Sequence, residues 1–166
     1  MEKSLSKDNQ IYVPLIYSNN LLISPCVLTH GHCTKKFNDE QQALNYNYNN
    51  ISAINSCMVI DIDVFKDYRY DENIFLDGID HQFVSDMIAH GKKLKVLDYK
   101  CNHSFSGTEV PPFKSAVTRF KIFKKDYKYI FRNNRTEYLK LVGKRALKLS
   151  AQYKTLKFLL LLLKGD

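Results

Sequence analysis

The chain has 166 residues, of which 45% are apolar and 13% aromatic, enough for one modest core. It has no internal repeat and no collagen-like or solenoid period, and its apolar run at 158–163 is six residues long, far short of the roughly 20 a bilayer span needs. The net charge of +8 is unevenly placed: up to residue 110 there are 10 Lys/Arg against 14 Asp/Glu, a balance of −4, whereas 111–166 hold 15 against 3, a balance of +12. The four cysteines, Cys26, Cys33, Cys57 and Cys101, show no paired metal-ligand spacing and read as reduced thiols. His30-Gly31-His32-Cys33 lacks the remaining ligands of a metal site.

Taken in chain order, residues 11–17 and 21–25 are two short apolar runs separated by the turn signal Ser18-Asn19-Asn20. A polar, Asn- and Tyr-rich loop over 34–50 leads to 52–60, which reads as one buried strand with small residues in its middle. Asp61-Ile62-Asp63 has the form of an Asp-x-Asp metal motif, but Asp63 more simply caps a helical turn beginning at Val64. Ile79, Phe83 and Met87 recur every four residues with Val84 and Ile88 beside them, so 79–90 is predicted to be an amphipathic helix. Gly91 stops it, Asp77 occupies the N-cap position, and Asp80 falls in the first turn, where the helix dipole favours negative charge. A strand over 93–97 then runs on to His103.

After Pro111-Pro112 the pattern is helical and basic. Phe113, Val117, Phe120, Phe123, Tyr127 and Phe131 interleave with Arg119, Lys124, Lys125, Lys128 and Arg132, and apolar and basic residues alternate again beyond Tyr138. The chain thus divides into 1–110 and a basic amphipathic tail, 111–166.

The succession of strand, 70-YDENIFLDGIDHQF-83, glycine, strand and histidine resembles the acceptor-side half of family 2 glycosyltransferases, in particular the rhamnosyltransferase-like members that build bacterial surface polysaccharides. There the phrase is close to F-D-E-x-x-F-x-D-x-x-D-x-E-W, the preceding strand carries a Ser-Gly pair, and a histidine ends the next strand. Tyr127-Lys128-Tyr129-Ile130-Phe131-Arg132-Asn133 resembles the Tyr-Tyr-x-x-Arg-Asn element that follows the family's catalytic domain. By position, Asp80 matches the general base, His103 the histidine that can complete the metal site, and Asp77 the other acidic position. Ser56 and Cys57 stand at the Ser-Gly pair, Gln82-Phe83 replaces Glu-Trp, and Asp86 stands where arginine is common. The resemblance covers roughly residues 10–140.

The resemblance implies a partial α/β fold of the nucleotide-diphospho-sugar transferase (GT-A-like) type with a helical C-terminal extension. It also implies an inverting transfer, in which Asp80 takes the proton of an acceptor hydroxyl as it attacks the anomeric carbon of a nucleotide-sugar. Asp77, Asn55, Ser56, Cys57 and Gln82 form the implied acceptor-binding set. His103 could supply one ligand to a Mg²⁺ or Mn²⁺ ion that neutralises the departing diphosphate in the complete enzyme. The family's N-terminal nucleotide-binding half, with its Asp-x-Asp motif, has no counterpart here, so the chain reads as a truncated or split transferase whose missing half, as a separate chain, is a further partner. The implied acceptor is a lipid-linked surface glycan such as O-antigen or capsule.

For the tail, an anionic membrane surface on the cytoplasmic face is the expected partner, with Arg119, Phe120, Phe123, Lys124, Lys125, Tyr127, Phe131 and Arg132 as the contacts. The competing readings are a solvated basic face packing its aromatics inward, and nucleic acid, for which no recognised motif is present. A non-enzymatic basic module binding a membrane or partner protein is the alternative to the transferase.

Overall fold

The computed structural model describes residues 10–29, 34–47, 49–104 and 110–164, so His30-Gly31-His32-Cys33 lies outside the described residues. The chain is mixed α/β and folds into two compact units, one formed by residues 1–70 and 80–106, the other by 71–79 and 107–166.

In the first unit β1 (Ile11–Ser18) is the central strand. Its residues are buried almost without alternation, as expected of a strand covered on both faces. It pairs antiparallel with β2 (Leu21–Ser24) near its C-terminal end and with β6 (Val59–Ile60) near its N-terminal end. β7 (Leu94–Asn102) runs parallel to it from Ile11↔Leu94 to Tyr17↔Asn102, with a register shift after Pro14. Asn19 and Asn20 both have positive φ (49° and 60°), the backbone that a two-residue turn between twisted strands requires.

A parallel pair needs a long crossover, and its last element is α3 (Ile79–Ala89). Phe83, Val84 and Met87 of this helix join Ile11, Val13, Leu15 and Val96 in one core. Phe83, only 1% exposed, lies among the rings of Phe65, Tyr68 and Tyr70, with centroids 5.1–6.1 Å away. Gly91, at φ 72°, ends the helix in a Schellman motif: Gly91 N–H donates to Ile88 O (3.0 Å) and Lys92 N–H to Met87 O (2.9 Å).

Three local expectations change. The segment 52–60 is not one strand, because β5 (Ile51–Ser52) and β6 belong to different sheets: β5 pairs with β3 (Cys26–Leu28), which also pairs with β4 (Thr34–Lys36). A turn at Ser56-Cys57, with Cys57 at φ 57°, separates them. The polar stretch 34–50 holds β4 and a short helix, α1 (Glu40–Leu44), whose N-cap Asp39 accepts from Gln42 N–H at 2.7 Å. Asp63 makes no capping bond to α2 (Val64–Asp67); its carboxylate pairs with Lys66 at 2.8 Å, and Asp61 accepts the Asp63 N–H at 3.0 Å.

The second unit comprises α4 (Phe113–Ile130), α5 (Arg135–Gln152), α6 (Lys157–Leu163) and the segment Asp71–Ile79, which the charge division at 110 had left with the first domain. Ala116, Phe120, Phe123 and Tyr127 follow one stripe of α4 and meet Val142 and Ala146 of α5 and Phe158 of α6. Asn134 caps α5 by accepting from Glu137 N–H (3.2 Å). Lys124, buried on α4, donates to the Leu161 and Lys164 carbonyls (3.0 and 2.6 Å), so a cation closes the negative end of α6.

Candidate active site

In the first unit, the chain brings together two positions 25 residues apart. Asp80, half-buried in the first turn of α3, accepts the Asn55 N–H through Oδ2 at 3.1 Å. Its Oδ1 accepts no hydrogen bond among the described residues. Tyr70 is close enough that the Asp80 charge adds to burial in pushing its phenol up. The next residue, His81, shares a hydrogen bond of 2.8 Å between Nδ1 and Ser52 Oγ, which ties the start of α3 to β5.

Asn55 and Cys57 are exposed and Ser56 is half-buried. The left-handed backbone of Cys57 occurs where the resemblance has glycine, the residue for which that conformation carries no steric cost. Cys57 also neighbours the Cys101 thiol of β7, which burial first and Cys57 second push up. Gln82 donates to Asp86 Oδ1 at 2.7 Å, while Tyr68 donates to Asp86 Oδ2 at 3.0 Å. Gln82 is therefore held along its own helix.

His103 follows β7 directly, its N–H donating to Tyr17 O at 2.8 Å. Among the described residues no group of three or more His, Cys, Asp or Glu is arranged to hold a metal ion. Among the described residues, His103 therefore has no companion ligands that would make a metal site on their own. A concavity elsewhere in the first unit, not anticipated from sequence, is lined by Tyr17, Lys36, Asn38 and Glu40. Tyr17 donates to Glu40 at 2.5 Å and Lys100 pairs with the same carboxylate at 2.6 Å.

The second unit gives Asp77 a different role from the one expected. Gly78, at φ 82°, separates it from α3, and Asp77 does not cap that helix. Both its oxygens are taken by Arg119, with Nη1–Oδ2 at 2.5 Å and Nη2–Oδ1 at 2.8 Å. An acceptor hydroxyl would have to displace this bidentate pair, so the acceptor-binding assignment of Asp77 is corrected to a clamp within the helical unit. Burial pushes its carboxyl up, against the pull of Arg119 and Arg145. The Arg145 guanidinium lies 4.0 Å from the centroid of the Phe123 ring.

The residue that sequence reasoning missed here is Asp126. It is fully buried on α4 and accepts three backbone N–H groups, from Phe75 (3.1 Å), Leu76 (2.9 Å) and Asp77 (2.8 Å). The available signal was a single carboxylate on an otherwise basic helix, next to the buried stripe position Tyr127. Gly78 completes the fit: a Cβ there would come within 2.9 Å of Ile130 Cδ1.

Of the expected membrane contacts, Phe120, Phe123, Lys124, Tyr127 and Phe131 are buried, and Arg119 is committed to Asp77. The rings form the unit's own core, so this assignment is also corrected; Lys125 and Arg132 alone of that set are exposed. No described helix is long and apolar enough to cross a membrane. Comparison with protein-family models, with curated proteins and with solved structures gave no match.

Proposed function

We propose that this chain carries the acceptor side of an inverting family 2 glycosyltransferase of GT-A-like fold, with Asp80 as the general base. The observation that carries the reading is the Asp80 carboxylate itself: one oxygen is fixed by the Asn55 N–H, and the other accepts nothing among the described residues. A carboxylate so held can take the proton of an acceptor hydroxyl in one orientation while that oxygen attacks the anomeric carbon and the nucleoside diphosphate leaves. Cys57 supports the reading, because its left-handed backbone stands at the family's glycine. So does the Gln82–Asp86 bond, which links positions i and i+4 where glutamate and arginine would form an ion pair.

In the complete enzyme of this reading, the family's nucleotide-binding half would hold the donor nucleotide-sugar together with a divalent cation, to which His103 would provide one ligand. The acceptor class is a lipid-linked surface glycan extended at the cytoplasmic face of the plasma membrane. The test is a reconstituted enzyme in which these residues are joined to a nucleotide-sugar-binding half of the family. Asp80→Asn should abolish sugar transfer and leave nucleotide-sugar binding nearly intact. Transfer at the parent rate would remove Asp80 from the reaction. The second reading, a non-enzymatic basic module, draws its support from the exposed lysines and leucines of α5 and α6.

A further inference from the structure

The aromatic face of the helical unit is consumed by its own core, yet the unit keeps a second apolar surface. Leu147, Leu156, Leu160 and Leu163 are 61%, 69%, 56% and 80% exposed. Leu156, Leu160 and Leu163 recur at i, i+4 and i+7, one stripe along α6, while Phe158 on the opposite side is fully buried against Phe113, Phe120 and Tyr153. The stripe is therefore held in place by the core and turned outward. Leu147 and Leu156 line the same shallow depression together with Ala151, which joins the α5 and α6 leucines into one surface.

The charge around these leucines has a single sign. Residues 138–164 contain seven Lys/Arg and no Asp or Glu. Lys144 and Lys148 flank Leu147 on the exposed face of α5, and Lys157 and Lys164 lie beside the α6 stripe. Four leucines ringed by lysines match the interface of an anionic bilayer: branched apolar side chains reach the acyl boundary while long cationic ones extend to the phosphates. Single-stranded nucleic acid fits less well, because its bases are held by stacking on exposed aromatic rings, and here Phe120, Phe123, Tyr127, Phe131 and Phe158 are buried while the side chains most exposed on this surface are leucines.

We propose that the α5–α6 surface, through Leu147, Leu156, Leu160 and Leu163 with Lys144 and Lys148, docks this protein on anionic lipid. This goes beyond the transferase reading and rests on the helical unit alone, so loss of sugar transfer and loss of lipid binding are separable results.

The experiment is co-sedimentation of the full chain with vesicles of phosphatidylcholine alone or mixed with phosphatidylglycerol, at salt concentrations from about 0.05 to about 0.5 M. Binding should be confined to the anionic vesicles and should weaken with salt. Leu160→Ser with Leu163→Ser should lower the partition coefficient at least about tenfold, because two exposed leucines no longer enter the interface. Lys144→Glu with Lys148→Glu should lower it by a similar factor. Far-UV circular dichroism checks that each variant is folded. Independently of any variant, backbone amides of 156–163 in the unmodified chain should exchange more slowly on anionic vesicles than in buffer. Equal binding to neutral vesicles, or anionic binding that survives the leucine changes without altered exchange, would overturn the assignment. So would binding to a single-stranded oligonucleotide in place of vesicles, or self-association in buffer that the leucine changes abolish.

Discussion

Asp126 offers the sharpest test of how the segment ahead of α3 is built. Its two carboxylate oxygens accept three backbone N–H groups in a fully buried setting, Oδ1 from Phe75 and Oδ2 from Leu76 and Asp77. Asp126→Asn preserves the shape but leaves one acceptor oxygen. If that oxygen keeps the Leu76 and Asp77 bonds, the new NH₂ faces the Phe75 N–H donor to donor, and one charge-assisted bond is lost, about 1.5–3 kcal/mol. The opposite amide orientation loses two, about 3–6 kcal/mol, so the first sets the expected minimum. With a urea dependence of about 2 kcal/mol per M, the transition of the helical unit should move down by roughly 1 M. Hydrogen exchange supplies the local readout: amides 75–77 should be protected in the parent and should lose much of that protection in the variant, while β1 amides change little. An unchanged midpoint together with unchanged protection at 75–77 would refute the clamp.

Phe83→Ala should destabilise the first unit by about 3–5 kcal/mol, since it empties a site enclosed by Phe65, Tyr68 and Tyr70; a urea midpoint near the parent's would contradict the packing described. Cys57→Gly should raise stability by about 0.5–1 kcal/mol, the relief of a left-handed side-chain clash less the added backbone entropy of glycine, and a thermal melt that moves down would argue against that balance. Cys26, buried on β3, has its thiol pushed from the ordinary 9.0 up to about 11 by desolvation. The folded chain therefore keeps this proton across a window where the unfolded chain has lost it, so stability should fall as pH rises from about 9 to about 11. The loss should approach 2–3 kcal/mol relative to Cys26→Ala, and parallel pH profiles for parent and variant would remove this cause.

The Asp80 carboxylate and the backbone N–H of Asn55 meet because Ser56-Cys57 is a turn and not the middle of a strand. That turn was legible only indirectly. The small residues at 52–60 marked a tight place in the chain, but an apolar run with small residues reads equally as a continuous buried strand. Two-residue strands such as β5 and β6 carry too little periodicity to be told from the loop between them. Gln82 shows a related limit on a smaller scale: the predicted helix sets it one turn from Asp86, whereas the hydroxyl of Tyr68 on the other Asp86 oxygen became evident only in the tertiary structure.

What the sequence determined by itself were the elements whose signals are local. The four-residue recurrence of Ile79, Phe83 and Met87, the stop at Gly91 and the helical tail after Pro111-Pro112 depend on backbone geometry within a few residues, and these appear in the structure. Only the tertiary structure decided which apolar face each helix keeps for itself. Phe120, Phe123, Tyr127 and Phe131 and the α6 leucines are alike as amphipathic patterns, yet the rings fill the core between three helices while Leu156, Leu160 and Leu163 remain outside. It likewise decided that Asp77 is an ion-pair partner and not a helix cap, because Arg119, 42 residues away, offers a bidentate charge-assisted pair. Periodicity states which residues share a face. What that face meets depends on chain segments distant in sequence, and on which pairing buries apolar surface while leaving the fewest polar groups unmatched.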